Sequence, residues 1–253
     1  MRLPQFSPLS LIVAAMDYEQ AVSAAPAGWK HFQIGDLDRL PAPVVRRELG
    51  RVPEAERRLL EEGDSDARMR VLRAFFWTFI YHLEPKLWDE LSQAEPIPPA
   101  LLGALPESTL GLDIGAGSGR LTAHLMGRCR KVVAIEPSLG LRTLLHRRLP
   151  RASVVAGWAE DLPIRDGCSQ LTAACGSFGP DPAVLREFRR VTATGGVIAL
   201  ISPESPEWFE ANGWRRLSLP AAPPPQHASW IDDFFGPPDP PRELVMTQVT
   251  PDR

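Results

Sequence analysis

Three glycines at alternate positions, Gly115, Gly117 and Gly119, stand between a short apolar run and a helix-like pattern in GLDIGAGSGRLTAHL. Glycine is needed where the backbone turns through positive φ, or where a ligand must lie against bare main chain. A ligand over such a turn meets the free N–H groups that open the helix. Leu110, Leu112 and Ile114 supply a buried strand before the turn, and Leu121 and Leu125 are spaced to face a core from one side of the helix after it. The next apolar run, KVVAIEP, ends on Glu136. Open α/β sheets bind ligands at that edge of their strands, and an acidic side chain there can accept two hydrogen bonds from a ribose diol.

The spacing separates two kinds of nucleotide site. The dinucleotide fingerprint Gly-x-Gly-x-x-Gly fails in both registers, because Arg120 or Thr122 stands where its third glycine belongs. The pattern Asp113-x-Gly115-x-Gly117-x-Gly119 instead resembles motif I of the class I S-adenosylmethionine (SAM) dependent methyltransferases, in particular the type 11-like, small-molecule group. Two later stretches are similar to that family as well. Gly157, Ala159, Leu162 and Pro163 match its Gly-Asp-Ala-x-x-Leu-Pro run, with Trp158 in place of the aspartate. Glu187, Arg190, Val191, Gly195 and Gly196 match its Glu-x-x-Arg-Val-Leu-x-Pro-Gly-Gly run, with Thr192 and Thr194 in place of leucine and proline. Cys168-Ser169-Gln170 departs from the family's Ser-Phe-Asp before the fourth strand.

The resemblance implies SAM as cofactor, bound by Asp113, Gly115, Ala116, Gly117, Glu136, Pro137, Trp158, Ala159, Glu160 and Gly176. Glu136 would take the ribose, and Asp113 would orient the turn or the methionine end. The Trp158 indole cannot accept the hydrogen bond from the adenine amino group, though it can stack on the ring. That leaves Glu160 or Asp161 to reach the amino group. Ser177 and Phe178, after the fourth strand, are expected beside the substrate, together with Trp77 and Tyr81 of an aromatic helix. No histidine or aspartate immediately follows that strand, and His82 is the weak candidate for a base. Methyl transfer does not require one, since aligning a nucleophile with the sulfonium can supply much of the rate.

Strands and helices alternate from residue 110 onward, which predicts a Rossmann-like α/β fold. Its mostly parallel sheet carries helices on both faces, and the resemblance implies seven strands closed by a late antiparallel pair. Residues 107–253 are expected to form this SAM-binding domain, and residues 1–106 an N-terminal extension and helical cap or lid. Within the cap, PAPVVRREL and PEAERRLLEE begin at prolines that suit a first helical turn. SDARMRVLRAFFWTFIYHL reads as one helix capped by Ser65, burying Met69, Leu72, Phe76, Ile80 and Leu83. It serves as a core helix, as a lid over an apolar pocket, or as both. Near the C-terminus, SWIDDFF reads as a short helix whose Trp230, Phe234 and Phe235 either form one wall of the substrate site or, the preferred reading, cap the sheet edge.

The 253 residues carry a formal net charge of −3 and are 44% hydrophobic, enough for a real core. Nothing in that charge attracts nucleic acid, and RCRK and HRRLPR read as solvated faces. Three cysteines, Cys129, Cys168 and Cys175, lie far apart without a Cys-x-x-Cys, which argues for a reducing, cytoplasmic setting and against a metal site. The apolar stretch at residues 7–16 is too short, and too soon followed by Asp17 and Glu19, for a signal peptide. No window approaches the ~18 apolar residues of a membrane span. Met16 offers a second start besides Met1. The functional expectation is methyl transfer from SAM to a small, partly apolar molecule. The alternatives are a SAM-binding protein that transfers no methyl group, and a scaffold whose aromatic helix, through Trp77 and Phe79, forms an interface such as that of a homodimer.

Overall fold

The computed structural model describes residues 18–250. The apolar stretch at residues 7–16 and the second start at Met16 lie outside them. Helices occupy residues 18–103: α1 (Tyr18–Ser23), two 3₁₀ turns (Ala27–His31 and Ile34–Arg39), α2 (Ala42–Arg51), α3 (Glu54–Glu62), α4 (Ser65–Ala74), α5 (Phe76–Leu83), α6 (Pro85–Ala94) and α7 (Pro99–Gly103). Strands and helices then alternate as β1 (Ser108–Ile114), α8 (Arg120–Leu125), β2 (Cys129–Ile135), α9 (Leu139–Arg148), β3 (Ser153–Val155), β4 (Ser169–Cys175), α10 (Pro182–Val191) and β5 (Thr192–Ile201). The chain closes with α11 (Pro206–Ala211), β6 (Arg215–Ser218), α12 (Ser229–Phe235) and β7 (Glu243–Gln248). Among the described residues, no helix is long and apolar enough to cross a membrane.

The seven strands lie in the order β3-β2-β1-β4-β5-β7-β6. Pairing is parallel from β3 to β5, and β7 runs antiparallel to both β5 and β6. This is the expected Rossmann-like sheet. Successive strands β1, β2 and β3 grow one way, and β4 returns to the other side of β1. The order therefore reverses at β1, the kind of point at which open α/β sheets leave a crevice. One face is packed by Leu112, Ile114, Leu185 and Phe188, and the other by Leu101, Leu121, Leu125 and Leu171.

The aromatic segment departs from the single helix read in the sequence. Asp64, not Ser65, is the N-cap, its side chain accepting from the Ala67 N–H at 2.8 Å. The helix then breaks at Phe75, whose φ of −89° and ψ of 0° sit in the sparsely allowed bridge region. The break lets Phe75 and Phe76, neighbours in sequence, both enter the core with Phe79 and Ile80. Met69, expected on the buried face, is 45% exposed, because α4 turns Ala67, Val71 and Leu72 inward instead. The α12 expectation is corrected too. Phe235 stacks on Trp77 at 5.9 Å, and Ile231 joins the same apolar cluster as Phe76 and Phe79. So α12 completes the helical layer rather than capping the sheet edge, since its aromatic face finds more apolar surface there.

Candidate functional site

The C-terminal ends of β3, β2, β1 and β4 lie side by side, and the turns that leave them line a cleft of about 850 Å³ including its open mouth. The floor is the glycine turn. The Gly115 and Ala116 N–H groups both donate to the Ile135 carbonyl, at 2.9 and 3.1 Å, which ties the turn to β2. Gly117 has φ +55°, and a Cβ there would come within 3.1 Å of the Trp88 Nε1. Gly115 has φ +68°, with Ser177 and Phe178 3.3 Å from where its Cβ would stand. Side chains at these two positions would strain the backbone and fill the cleft.

Glu136 follows β2 and is only 5% exposed. Its Oε2 accepts from the Gly117 N–H at 3.0 Å and its Oε1 from the Ser138 N–H at 2.7 Å. A carboxylate oxygen has two acceptor positions, so each keeps one toward the cleft. Burial pushes this carboxyl up to about 7, against the lowering effect of those N–H groups and of Arg142. Asp113, at the end of β1, is 1% exposed and accepts from the Thr122 hydroxyl at 2.5 Å, which fastens α8 to the strand. Burial raises it to about 7 as well, with Glu136 adding to the shift. Pro137 lines the cleft beside them.

At the β3 end, Trp158, Ala159 and Glu160 line the cleft as a group. The loop that carries them is pinned by α10. Glu187 accepts from the Leu162 N–H at 2.8 Å, and Arg190 donates to the Leu162 and Ile164 carbonyls at 3.0 and 2.8 Å. At the β4 end stand Cys175, Ser177 and Phe178. Gly176 between them does not line the cleft; its N–H donates to the Ile201 carbonyl at 2.8 Å. The substituted Gln170 sits at the opposite end of β4, where its Oε1 accepts from the Leu110 N–H at 3.0 Å. It touches nothing in the cleft.

The helical layer supplies the roof through Arg47, Tyr81, Trp88 and Ser92. The Tyr81 carbonyl accepts from the Ser138 hydroxyl at 2.5 Å, so α5 is held to the residue after Glu136 and Pro137. Among the described residues, the buried Tyr81 hydroxyl has no partner, although leaving such a group unpaired costs about 1–3 kcal/mol. Trp77 is not a lining residue. It stacks behind Tyr81 at 6.1 Å, between that ring and Phe235. His82 is not one either, and Arg142 lies near enough to act on it. Burial and that arginine push its imidazole down to about 4, which makes it a poor base.

Several lining residues had not been expected. Arg120, at the start of α8, reaches the Glu95 carbonyl at 2.6 Å and the Cys175 Sγ at 3.5 Å. Arg47 and Trp88 read in the sequence only as parts of amphipathic helices. Nothing in a period of three or four separates a residue that faces a core from one that faces a cleft.

Residues 112–200 match a family described as a methyltransferase domain. An uncharacterized methyltransferase of Mycobacterium tuberculosis is 34% identical over 92 residues, 36% of this chain and 38% of that protein. A demethylmenaquinone methyltransferase of Beutenbergia cavernae is 37% identical over 115 residues, 44% of this chain and 48% of its own length. The chain thus spans less than half the length of these curated relatives. A SAM-dependent methyltransferase of Thermotoga maritima, solved as a crystal structure, aligns with 70% of this chain and 99% of its own, at 18% identity and a TM-score of 0.48. Over residues 112–200 the chain is similar to the methyltransferase domain family, and its sheet has the Rossmann-like order expected of that resemblance. The bare glycine turn, the half-satisfied Glu136 carboxylate and the Tyr81 hydroxyl, without a partner among the described residues, fit SAM, the cofactor that the resemblance implies.

Proposed function

We propose that this protein transfers the methyl group of SAM to a small, partly apolar acceptor. One observation carries the reading: the cleft that holds Glu136 against the glycine turn has Tyr81, Trp88, Leu121, Leu141 and Phe178 among its walls, an apolar stretch beside the polar one. Glu136 takes the ribose diol on its two free acceptor positions. Gly115, Ala116 and Gly117 offer bare main chain, with Asp113 and Pro137 on either side. Trp158, Ala159 and Glu160 form the adenine end. Ser177 and Phe178 face the acceptor, with Gly176 shaping their loop, and residues 18–106 form the roof that limits what enters. Bound SAM supplies an activated methyl group on a sulfonium. The chain's own residues then act by excluding water and aligning the nucleophile, an effect large enough without a base. The demethylmenaquinone methyltransferase among the relatives favours an apolar ring-bearing acceptor.

The test is transfer of label from methyl-labelled SAM to a panel of phenols, quinols and amines of different size, alongside calorimetric titration with S-adenosylhomocysteine. Binding with transfer to an apolar acceptor is the expected result. Binding without transfer to any acceptor would favour a SAM-binding protein, and no binding would overturn the reading. The roof gives a further check. Tyr81→Phe removes only a hydroxyl without a partner among the described residues. It should leave thermal stability unchanged or slightly higher and weaken S-adenosylhomocysteine roughly three- to tenfold, the value of one hydrogen bond.

A further inference from the structure

The adenine end of the cleft is already filled by the protein's own side chain. Arg47, on α2 and outside the matched residues 112–200, lays its guanidinium 4.4 Å from the centroid of the Trp158 ring. The same guanidinium is ion-paired with Glu160. All three residues line the cleft, and the Arg47 and Glu160 side chains are each only about a quarter exposed, 26% and 28%. A planar group stacked on an indole while its N–H groups point at a carboxylate is also what an adenine ring and its amino group would present. The other two cleft carboxyls have other roles: Asp113 is held by Thr122, and Glu136, held by Gly117 and Ser138, faces the ribose in the reading above. Glu160 is therefore the acceptor within reach of a base stacked on Trp158, and Arg47 holds both the stacking face and that acceptor.

We infer that Arg47 is a stand-in for adenine, displaced when the cofactor binds, and that Glu160 then accepts the adenine amino hydrogen bond that Trp158 cannot. This rests on the cofactor reading above. Cofactor entry thereby becomes linked to the helical layer, because moving Arg47 frees α2 from the loop after β3. The pair and the stack each contribute only modestly where water reaches them, so the latch lowers affinity without closing the site.

The experiment is titration of S-adenosylhomocysteine into the full chain as wild type, Arg47→Ala, Glu160→Ala and the double variant, at low and high salt. Arg47→Ala should bind about tenfold more tightly than wild type, a change of about 1.4 kcal/mol. Adding Glu160→Ala should remove that gain, since the freed acceptor is gone. Wild-type affinity should also rise with salt, which screens the partly exposed ion pair, while Arg47→Ala should lose that rise. Equal or weaker binding by Arg47→Ala overturns the inference and leaves the cofactor reading intact. Absence of binding in the wild type and in every variant overturns both. A melting temperature within a few degrees of wild type shows that each variant is folded.

Discussion

Glu136→Ala is expected to weaken S-adenosylhomocysteine at least about a hundredfold in calorimetry, while the protein still folds. The carboxylate offers two charge-assisted hydrogen bonds to a diol, each worth about 1.5–3 kcal/mol. Losing both removes at least ~3 kcal/mol, or two powers of ten in affinity. Glu136→Gln is the control for local shape, because it keeps the side-chain volume and one acceptor for the Gly117 or Ser138 N–H. It should bind between wild type and the alanine variant. The pH dependence carries a sign of its own. The folded carboxyl sits at about 7, above its ordinary value of 4.5, so between those values the folded chain holds a proton that the unfolded chain has released. This group's share of stability is therefore present at low pH and is lost as pH rises through that window. Diol binding favours the ionised form, so affinity should climb as pH passes through about 7 and then level off. Stability and affinity moving in opposite directions with pH, both flattened in Glu136→Gln, would identify Glu136 as the group responsible. A hundredfold loss in the alanine variant with no pH dependence in the wild type would place the effect on turn geometry instead.

The legibility of this site in the sequence follows the range of the forces that built it. Asp113, the three glycines and Glu136 could be read because their roles are local: a turn needs positive φ at Gly115 and Gly117, and a strand end presents the next residue at the sheet edge. The parallel order of β1 to β5 followed from alternating periodicity for the same reason. Arg47, Trp88 and Arg120 could not be read, because their cleft contacts depend on how α2, α6 and α8 sit against strands far away in sequence. The same blindness put Trp77 at the site although it backs Tyr81. Trp158 is the instructive middle case. Its inability to accept a hydrogen bond was plain from its chemistry. What takes over depends on Arg47 and Glu160, which only the fold brings to the indole. Asp64 displaced Ser65 as a cap because both are good N-caps and the chain had room for either.

Phe79→Ala should be the most damaging single change to stability. Phe79 is fully buried, stacked on Phe32 at 4.9 Å and tilted against Phe75 at 5.9 Å. Truncating a phenylalanine in such a place costs about 3–5 kcal/mol, a large part of the ~5–15 kcal/mol that holds a typical domain together. The melting temperature should fall by roughly 10 °C or more, whereas Leu59→Ala, at a residue 42% exposed, should leave it almost unchanged. The variant also separates two roles for the aromatic helix. If α5 were chiefly an interface between copies, Phe79→Ala would change the mass of the particle in solution and spare the monomer's melting. Its side chain lies wholly inside the chain's own core, alongside Phe76 and the Ile231 and Phe235 contributed by α12. Melting should therefore fall at every protein concentration, with the solution mass unchanged. Tyr81 lies two residues further along the same helix, under the Trp88 edge at 4.9 Å. Loosening Phe79 should therefore also weaken S-adenosylhomocysteine several-fold, as the roof over the glycine turn loses its fixed position. Unchanged cofactor affinity in a destabilised Phe79→Ala protein would instead mean that the Ser138 hydroxyl, by holding the Tyr81 carbonyl, fixes the roof without help from the aromatic core.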